Sequence, residues 1–182
     1  MMRTPLADTL GRLQASIYWL HDAEKFNELA NAASKIYQLL GHSEALSDQI
    51  GSFISEAYRI SDDAQNARLS GDPEMELKYY AEAQLQLTEA AKLLNLPIEI
   101  AEHQVRWWML SRHKKIVAAL NYLLKQHQPS KLSVLGRAKL AYYLFQVGLG
   151  HHQKDLARCE KYAIYYWGLL LQSKAAIYPY IG

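Results

Sequence analysis

One arginine and one histidine in the middle of the sequence have a spacing that could support phosphate chemistry. Arg106 and His113 are seven residues apart, so on a helix they lie on one flank about two turns from each other. Histidine can act as a general acid or base, and arginine can stabilise the negative charge that develops at phosphorus. The two residues are therefore candidates for a catalytic site that acts at phosphorus.

This arrangement resembles the motif of the metal-independent HEPN ribonucleases, in which an arginine precedes a histidine by a few residues and which are also all-α proteins. The resemblance rests on Arg106 and His113 alone. A polar residue commonly follows the arginine in that family, whereas Trp107 follows it here. The motif implies a HEPN-like ribonuclease as a third functional hypothesis, and we assign no catalytic residue.

Potential metal ligands are the second kind of chemistry in the sequence. His151, Asp155 and Cys159 fall at successive steps of four and would share one stripe of the last helix, as weak candidates for a metal site. The alternative is that the histidine lies at a solvated helix start and the cysteine is a small core residue. A phosphate-binding glycine loop and a dinucleotide fingerprint are both absent from the sequence. We predict no metal and no cofactor.

A run of cations interleaved with indoles extends from Arg106 to Lys115. Its predicted binding residues are Arg106, Trp107, Arg112, His113, Lys114 and Lys115. Helical periodicity places Trp108 at the edge of the buried face and Trp107 on the polar face. An indole in that position indicates either a stacking or cation–π surface for a partner, or cover by another helix of the same domain.

The last predicted helix is apolar around its whole circumference, from Tyr162 to Leu171. Such a helix must be covered on all sides. It is either the central helix of the domain or a helix that presents Tyr165 and Leu169 to a second copy or another protein. Both interpretations remain open at this stage.

Charge is divided unevenly along the chain, although the formal net charge is only +2. Residues 1–97 hold 8 Lys and Arg against 14 Asp and Glu, a net charge of −6, and residues 98–182 hold 12 against 4, a net charge of +8. A basic surface attracts anionic partners such as nucleic acid, acidic proteins or anionic lipids. Alternatively, the acidic and basic helices pair with each other inside one domain.

These observations favour a non-enzymatic helical protein-interaction module, of the adaptor, accessory or effector type, that uses a basic, aromatic-rich surface. A protein partner or a homo-oligomer is the expected assembly, and nucleic-acid binding is the alternative function. The single cysteine permits no intramolecular disulfide. The amino terminus lacks a signal-peptide pattern, and the longest apolar run is too short to span a membrane. We therefore expect a protein of the cytoplasm or another reducing compartment.

Residue composition and the signals for helix starts and ends predict the secondary-structure elements that position these residues. The sequence has 28 Leu and 23 Ala against 4 Val and 3 Thr, a balance typical of helices. Predicted helices begin after Thr4, Asp22, Ser43 and Asp72, then span 98–125, 132–147 and 153–176, with Gly148 and Gly150 ending the sixth. The fold class is therefore all-α, as an antiparallel bundle or stacked helical hairpins of about seven helices in a single domain, 1–182.

Overall fold

A computed structural model describes residues 3–127 and 132–172 of the chain, and the regular structure of this part is entirely helical. The helices are α1 (Pro5–Asp22), α2 (Phe26–Leu39), α3 (Glu44–Leu69), α4 (Pro73–Leu93), α5 (Glu99–Arg112), α6 (Ile116–Gln126), α7 (Val134–His152) and α8 (Leu156–Gln172). The all-α prediction is confirmed, and eight helices stand where about seven were predicted.

Local side-chain caps explain where several helices begin. The hydroxyl of Thr4 accepts a hydrogen bond from the backbone of α1, and Ser43 caps α3 in the same way. Asp72 caps α4, with Pro73 as its first residue. Asp22 was predicted as the cap of the second helix and is instead the last residue of α1, because Lys25 occupies the N-cap position of α2 without a side-chain bond.

The predicted fifth helix is divided, and this division is the main correction to the sequence-based elements. Lys114 adopts a left-handed conformation, with φ of 58°, between α5 and α6. The turn contains neither glycine nor proline, so no ordinary stop signal marks it. The sixth predicted helix, in contrast, does not end at Gly148 and Gly150, because α7 continues through both to His152. The part of the last predicted helix beyond Gln172 lies outside the described residues.

One type of turn connects the helices at six places. In each turn the second residue after the helix, which follows the C-cap, has positive φ, as at Glu24, Gly71 and Lys154. The next backbone N–H returns to a carbonyl of the last helical turn, as from Lys25 to Leu20, which is the Schellman arrangement. These short connections place consecutive helices antiparallel to each other.

The odd-numbered helices meet one another across the interior. α1 reaches α3 where Nε2 of His21 lies 2.7 Å from Oδ1 of Asp62. α3 reaches α5 where the ring centroids of Tyr58 and Trp108 are 4.9 Å apart. The contact between Tyr58 and Trp108 joins the acidic first half of the chain to the basic second half, whereas the contact between His21 and Asp62 lies within the first half.

Contacts through α7 and α8 bring the two ends of the described chain together. The ring of Trp107 on α5 lies against Gly148 of α7, and the ring of His151 lies 5.2 Å from that of Tyr18 on α1. α8 packs so closely on α1 that a Cβ added at Gly11 would lie 2.6 Å from its backbone. α8 is therefore covered on two sides, by α1 and α7, while Lys161 is exposed and Tyr162 and Tyr165 are partly exposed.

Candidate interaction surfaces

Arg112 is the centre of a polar contact between the two halves of the chain. Its guanidinium donates hydrogen bonds to the carbonyl and hydroxyl oxygens of Ser61 and, over 3.2 Å, to the hydroxyl of Tyr80. A nitrogen of the same group lies 3.5 Å from Oδ1 of Asp62. A cation predicted to serve a binding surface is therefore used to attach α5 to α3 and α4.

His113 is engaged in a second contact between the halves. Its Nε2 lies 2.6 Å from Oε1 of Glu76, whose side chain is almost fully buried. Glu76 occupies the same position after its turn as the apolar residues Leu29 in α2 and Ala119 in α6. A carboxylate in such a core position needs a partner, and His113 supplies one.

His151 forms the third contact of this kind. Its Nε2 lies 2.8 Å from Oδ2 of Asp22, which also accepts a hydrogen bond from Lys154. Burial alone would raise the pKa of Asp22, but hydrogen bonds from Lys154 and His151 bring it below its ordinary value. Burial lowers the pKa of His151, and the contact with Asp22 only partly offsets that effect.

We call these contacts the seam between the halves. It consists of Asp22, Ser61, Asp62, Glu76, Tyr80, Arg112, His113, His151 and Lys154. Three carboxylates of the acidic half meet four cationic or titratable side chains of the basic half. Internal pairing, the alternative given for the charge division, therefore accounts for part of that division.

The two indoles of α5 belong to the core. Trp107 and Trp108 are each only 9% exposed. Trp107, which periodicity places on the polar face, is covered by α7 at Gly148. The interpretation that another helix of the same domain covers this indole is the one that the structure supports.

The catalytic candidates Arg106 and His113 interact with different partners. Nε of Arg106 lies 3.9 Å from Oε1 of Glu102 on the exposed side of α5, whereas His113 contacts the buried Glu76. No described contact joins Arg106 to His113 or gives them a common partner. The geometry therefore adds nothing to the resemblance to HEPN ribonucleases.

The metal-site candidates are likewise held apart by their own contacts. His151 binds Asp22, and Oδ1 of Asp155 accepts a hydrogen bond from the backbone of Arg158. The buried Cys159 donates to the carbonyl of Val147, and burial raises the pKa of its thiol to about 12. Within residues 3–127 and 132–172, no group of three or more His, Cys, Asp or Glu side chains is arranged to hold a metal ion.

Four tyrosines of α7 and α8 form an aromatic cluster at the surface. The rings of Tyr142 and Tyr162 meet edge to face at 6.0 Å, and Tyr143 and Tyr165 are 5.8 Å apart. Nζ of Lys161 lies 5.5 Å from the centre of the Tyr162 ring and 5.9 Å from that of Tyr165. Tyr142 is 48% exposed and the other three rings are partly exposed. We call these five residues the tyrosine surface.

The surroundings of the tyrosine surface are rich in cations. Lys139 precedes Tyr142 by three residues on α7, so both lie on one flank of that helix. Beyond Tyr165, a pocket of about 220 Å³ is lined by the cations Arg3, Arg12 and Lys161 and by one acid, Glu160, which pairs with Arg12. A hydrogen bond with Tyr162 raises the pKa of Tyr142, and the nearby Arg158 opposes that rise.

Sequence reasoning found part of this surface. It selected Tyr165 and Leu169 on α8, and the structure places Leu169 partly buried beside the core. It missed Tyr142, Tyr143 and Tyr162. Two patterns in the sequence were available as a signal: the paired tyrosines of α7, and the steps of three and four between the tyrosines of α8. Neither pattern predicts that the rings of the two helices contact each other, because that contact depends on how α7 packs on α8.

A second exposed region lies on α6 and the beginning of α7, and we call it the cationic face. Its members are Lys114, Lys115, Val117, Leu124, Lys125, Val134, Leu135 and Lys139. No Asp or Glu occurs in the sequence between Glu102 and Asp155. The cations of the seam pair with carboxylates of the acidic first half, whereas α6 and α7, which carry the cationic face, have no carboxylate of their own. The predicted binding residues Lys114 and Lys115 belong to this face.

Among the described residues, no helix is long and apolar enough to cross a membrane. Comparison of the chain with protein-family models, with curated proteins and with solved structures finds no match.

Proposed function

We propose that this chain is a non-enzymatic helical module that binds an acidic protein segment through the tyrosine surface. The observation that carries the proposal is the exposed cluster of four tyrosines with Lys161 over two of the rings. Tyrosine is enriched at protein interfaces, since it combines a large apolar area with a polar hydroxyl and few rotatable bonds.

Charge around the cluster supports an acidic partner. Lys139, Arg158 and Lys161 lie near the rings in α7 and α8, and the acid nearest in sequence, the partly exposed Glu160, is bound to Arg12 at 3.0 Å. An acidic segment with apolar or aromatic side chains would complement both the cations and the rings. Such electrostatic complementarity increases the association rate and selects partners of opposite charge.

A non-enzymatic role is supported by what the reactive side chains already contact. Arg112, His113 and His151 bind carboxylates of the seam, and the thiol of Cys159 is buried with a raised pKa. Each of these groups has a structural role that accounts for its position.

The test is a peptide selection followed by affinity measurements. Peptides selected on the immobilised protein from a random display library should be acidic and contain apolar or aromatic residues. Their dissociation constants are then measured for the protein and for the double variant Tyr142→Ser with Tyr165→Ser. We expect the variant to bind at least about tenfold more weakly, because interface tyrosines are frequent hot spots.

A matched control distinguishes binding at the tyrosine surface from non-specific binding to exposed apolar side chains. Leu77→Ser with Leu85→Ser removes two exposed apolar side chains from α4, far from the tyrosines along the chain. This control should bind the selected peptides as the unmodified protein does. Equal losses in both variants, or a selection that yields no acidic peptides, would contradict the proposal.

Nucleic-acid binding is the second candidate, because partly exposed tyrosine rings beside lysines are also a means of stacking single-stranded bases. In that case single-stranded RNA should bind more tightly than the selected peptides, with an affinity that falls steeply as salt is added. Cleavage of that RNA without added metal, lost in His113→Ala, would support the third hypothesis of a HEPN-like ribonuclease.

A further inference from the structure

The aliphatic side chains of the cationic face protrude into solvent. Val117 is 77% exposed, Val134 is 74% exposed and Leu135 is 66% exposed. These residues stand at the starts of α6 and α7, and the two helices pack against each other. Side chains with this exposure form convex points rather than a groove, so a partner must accept apolar protrusions.

Exposed lysines flank these protrusions along the chain. Lys114 and Lys115 form the turn that leads into α6, Lys125 lies at the end of α6, and Lys139 lies on α7. Nζ of Lys125 lies 4.8 Å from the centre of the Tyr122 ring, which holds this cation close to the helix surface. Because α6 and α7 carry no carboxylate, the charged side chains of these two helices are all positive, and the nearest carboxylates of the neighbouring α5 are Glu99 and Glu102.

We propose that the cationic face binds the surface of an anionic lipid bilayer. Aliphatic side chains enter the boundary between headgroups and acyl chains, while the long lysine side chains reach the anionic headgroups. Nucleic acid is less suited to this face, because stacking requires exposed aromatic rings, whereas the three protrusions are aliphatic and the Tyr122 ring beside Lys125 is only partly exposed. An acidic protein would need cavities shaped for the three protrusions, whereas a bilayer accepts them without a specific shape.

This inference concerns a surface that shares only Lys139 with the surroundings of the tyrosine surface. Because no substitution that tests either proposal changes Lys139, either can fail without the other. The protein would lie on the bilayer with α6 and the start of α7 facing the lipid. The tyrosine surface on α7 and α8 would then bind its partner beside the membrane.

The experiment is cosedimentation of the intact protein with lipid vesicles. Vesicles of equal parts phosphatidylserine and phosphatidylcholine should bind the protein at about 0.1 M salt and release most of it at about 1 M, where the screening length falls to about 3 Å. Vesicles of phosphatidylcholine alone should bind it at least about tenfold more weakly, since they lack net charge.

Two sets of substitutions separate the charge from the apolar contribution. Each of Lys115→Gln and Lys125→Gln should weaken binding to the anionic vesicles about fivefold. Val117→Ser combined with Val134→Ser and Leu135→Ser should weaken it at least about tenfold, because these side chains would no longer enter the lipid. All five positions are exposed, and a thermal unfolding curve for each variant establishes that it is folded.

Matched controls come from the first half of the chain. Leu77→Ser with Leu85→Ser changes side chains that are 58% and 64% exposed on α4, and Lys25→Gln with Lys78→Gln removes two exposed lysines. These controls should leave binding within about threefold of the unmodified protein, since surface changes away from a binding site have little effect.

Three results would overturn the inference. The first is absence of binding to the anionic vesicles at low salt. The second is equal binding by the serine variant, which would reduce the effect to general attraction between opposite charges. The third is binding to poly-glutamate without binding to vesicles, which would assign the face to an acidic protein.

Discussion

The seam and the cationic face adjoin at residues 112–115, where neighbouring side chains of one cationic run have different contacts. Arg112 and His113 are held by carboxylates and a backbone carbonyl of the other half. Lys114 and Lys115 follow them directly and extend into solvent. The left-handed turn at Lys114 redirects the chain between these two pairs. A single turn therefore divides the cations of one run between contacts inside the fold and positions exposed to solvent.

The basic half also contains a buried histidine that the seam does not use. The Nδ1–H group of His127 donates to the carbonyl of Leu123 at 2.7 Å, and its Nε2 lies 3.0 Å from the hydroxyl of Tyr166. Burial lowers the pKa of His127 from 6.5 to about 4. This group stabilises the fold in its neutral form, whereas the seam histidines contact carboxylates.

The largest expected effect concerns the pH dependence of His127. At acid pH, His127 takes up a proton in the unfolded chain but not in the folded chain. The contribution of His127 to the stability of the folded state is therefore complete above pH 6.5 and is lost as the pH falls toward about 4. The loss in the free energy of unfolding should be about 3 kcal/mol over this range.

Denaturant unfolding at several pH values measures the slope of the free energy of unfolding against pH. His127→Gln should be less stable at neutral pH but should show a smaller loss on acidification. His152→Gln changes an exposed histidine and should keep the slope of the unmodified protein. A slope that is unchanged in His127→Gln would show that other groups cause the acid sensitivity.

Arg112→Met gives the next largest effect and bears directly on the seam. The change leaves the carbonyl of Ser61 and the hydroxyl of Tyr80 without their donor, and should lower the free energy of unfolding by about 2 kcal/mol. Lys115→Met, three residues along the chain, should change it by less than about 0.5 kcal/mol. Urea unfolding of both variants provides the comparison, and similar losses would remove the distinction between the two regions.

The sequence predicted the fold where local signals decide it. Thr4, Ser43 and the Asp72–Pro73 pair are caps whose effect depends only on adjacent backbone, and each begins a helix as predicted. The turn at Lys114 was missed, because a lysine in a left-handed conformation carries no signal in its residue type.

The environments of the candidate site residues depend on contacts distant in sequence, and periodicity does not contain them. Trp107 was placed on the polar face of its helix because a helical projection includes no neighbour, whereas Gly148 of α7 lies against its ring. The same applies to Arg112, whose partners Ser61 and Asp62 lie in α3. The sequence shows that charge is divided between the two halves of the chain. It does not show which cations pair with carboxylates in the seam and which remain exposed at the surface.

The smallest expected effect on stability comes from the turn itself. Lys114 has φ of 58°, which is unfavourable for a residue with a Cβ, so Lys114→Gly should raise the free energy of unfolding by about 0.5–1 kcal/mol. Lys115→Gly is the control, since φ of −87° there gains nothing from glycine. If Lys114→Gly lowers stability, the turn is not the strained element that this conformation indicates.

Vesicle binding by two variants of equal charge tests the division between seam and cationic face most directly. Lys114→Gln with Lys115→Gln and Arg112→Gln with Lys154→Gln each remove two positive charges, one pair from the face and the other from the seam. The face variant should keep its stability and bind vesicles containing phosphatidylserine at least about tenfold more weakly. The seam variant should be less stable and, while folded, bind within about threefold of the unmodified protein. Equal losses of binding in both variants would mean that net charge alone determines binding, and would contradict this division.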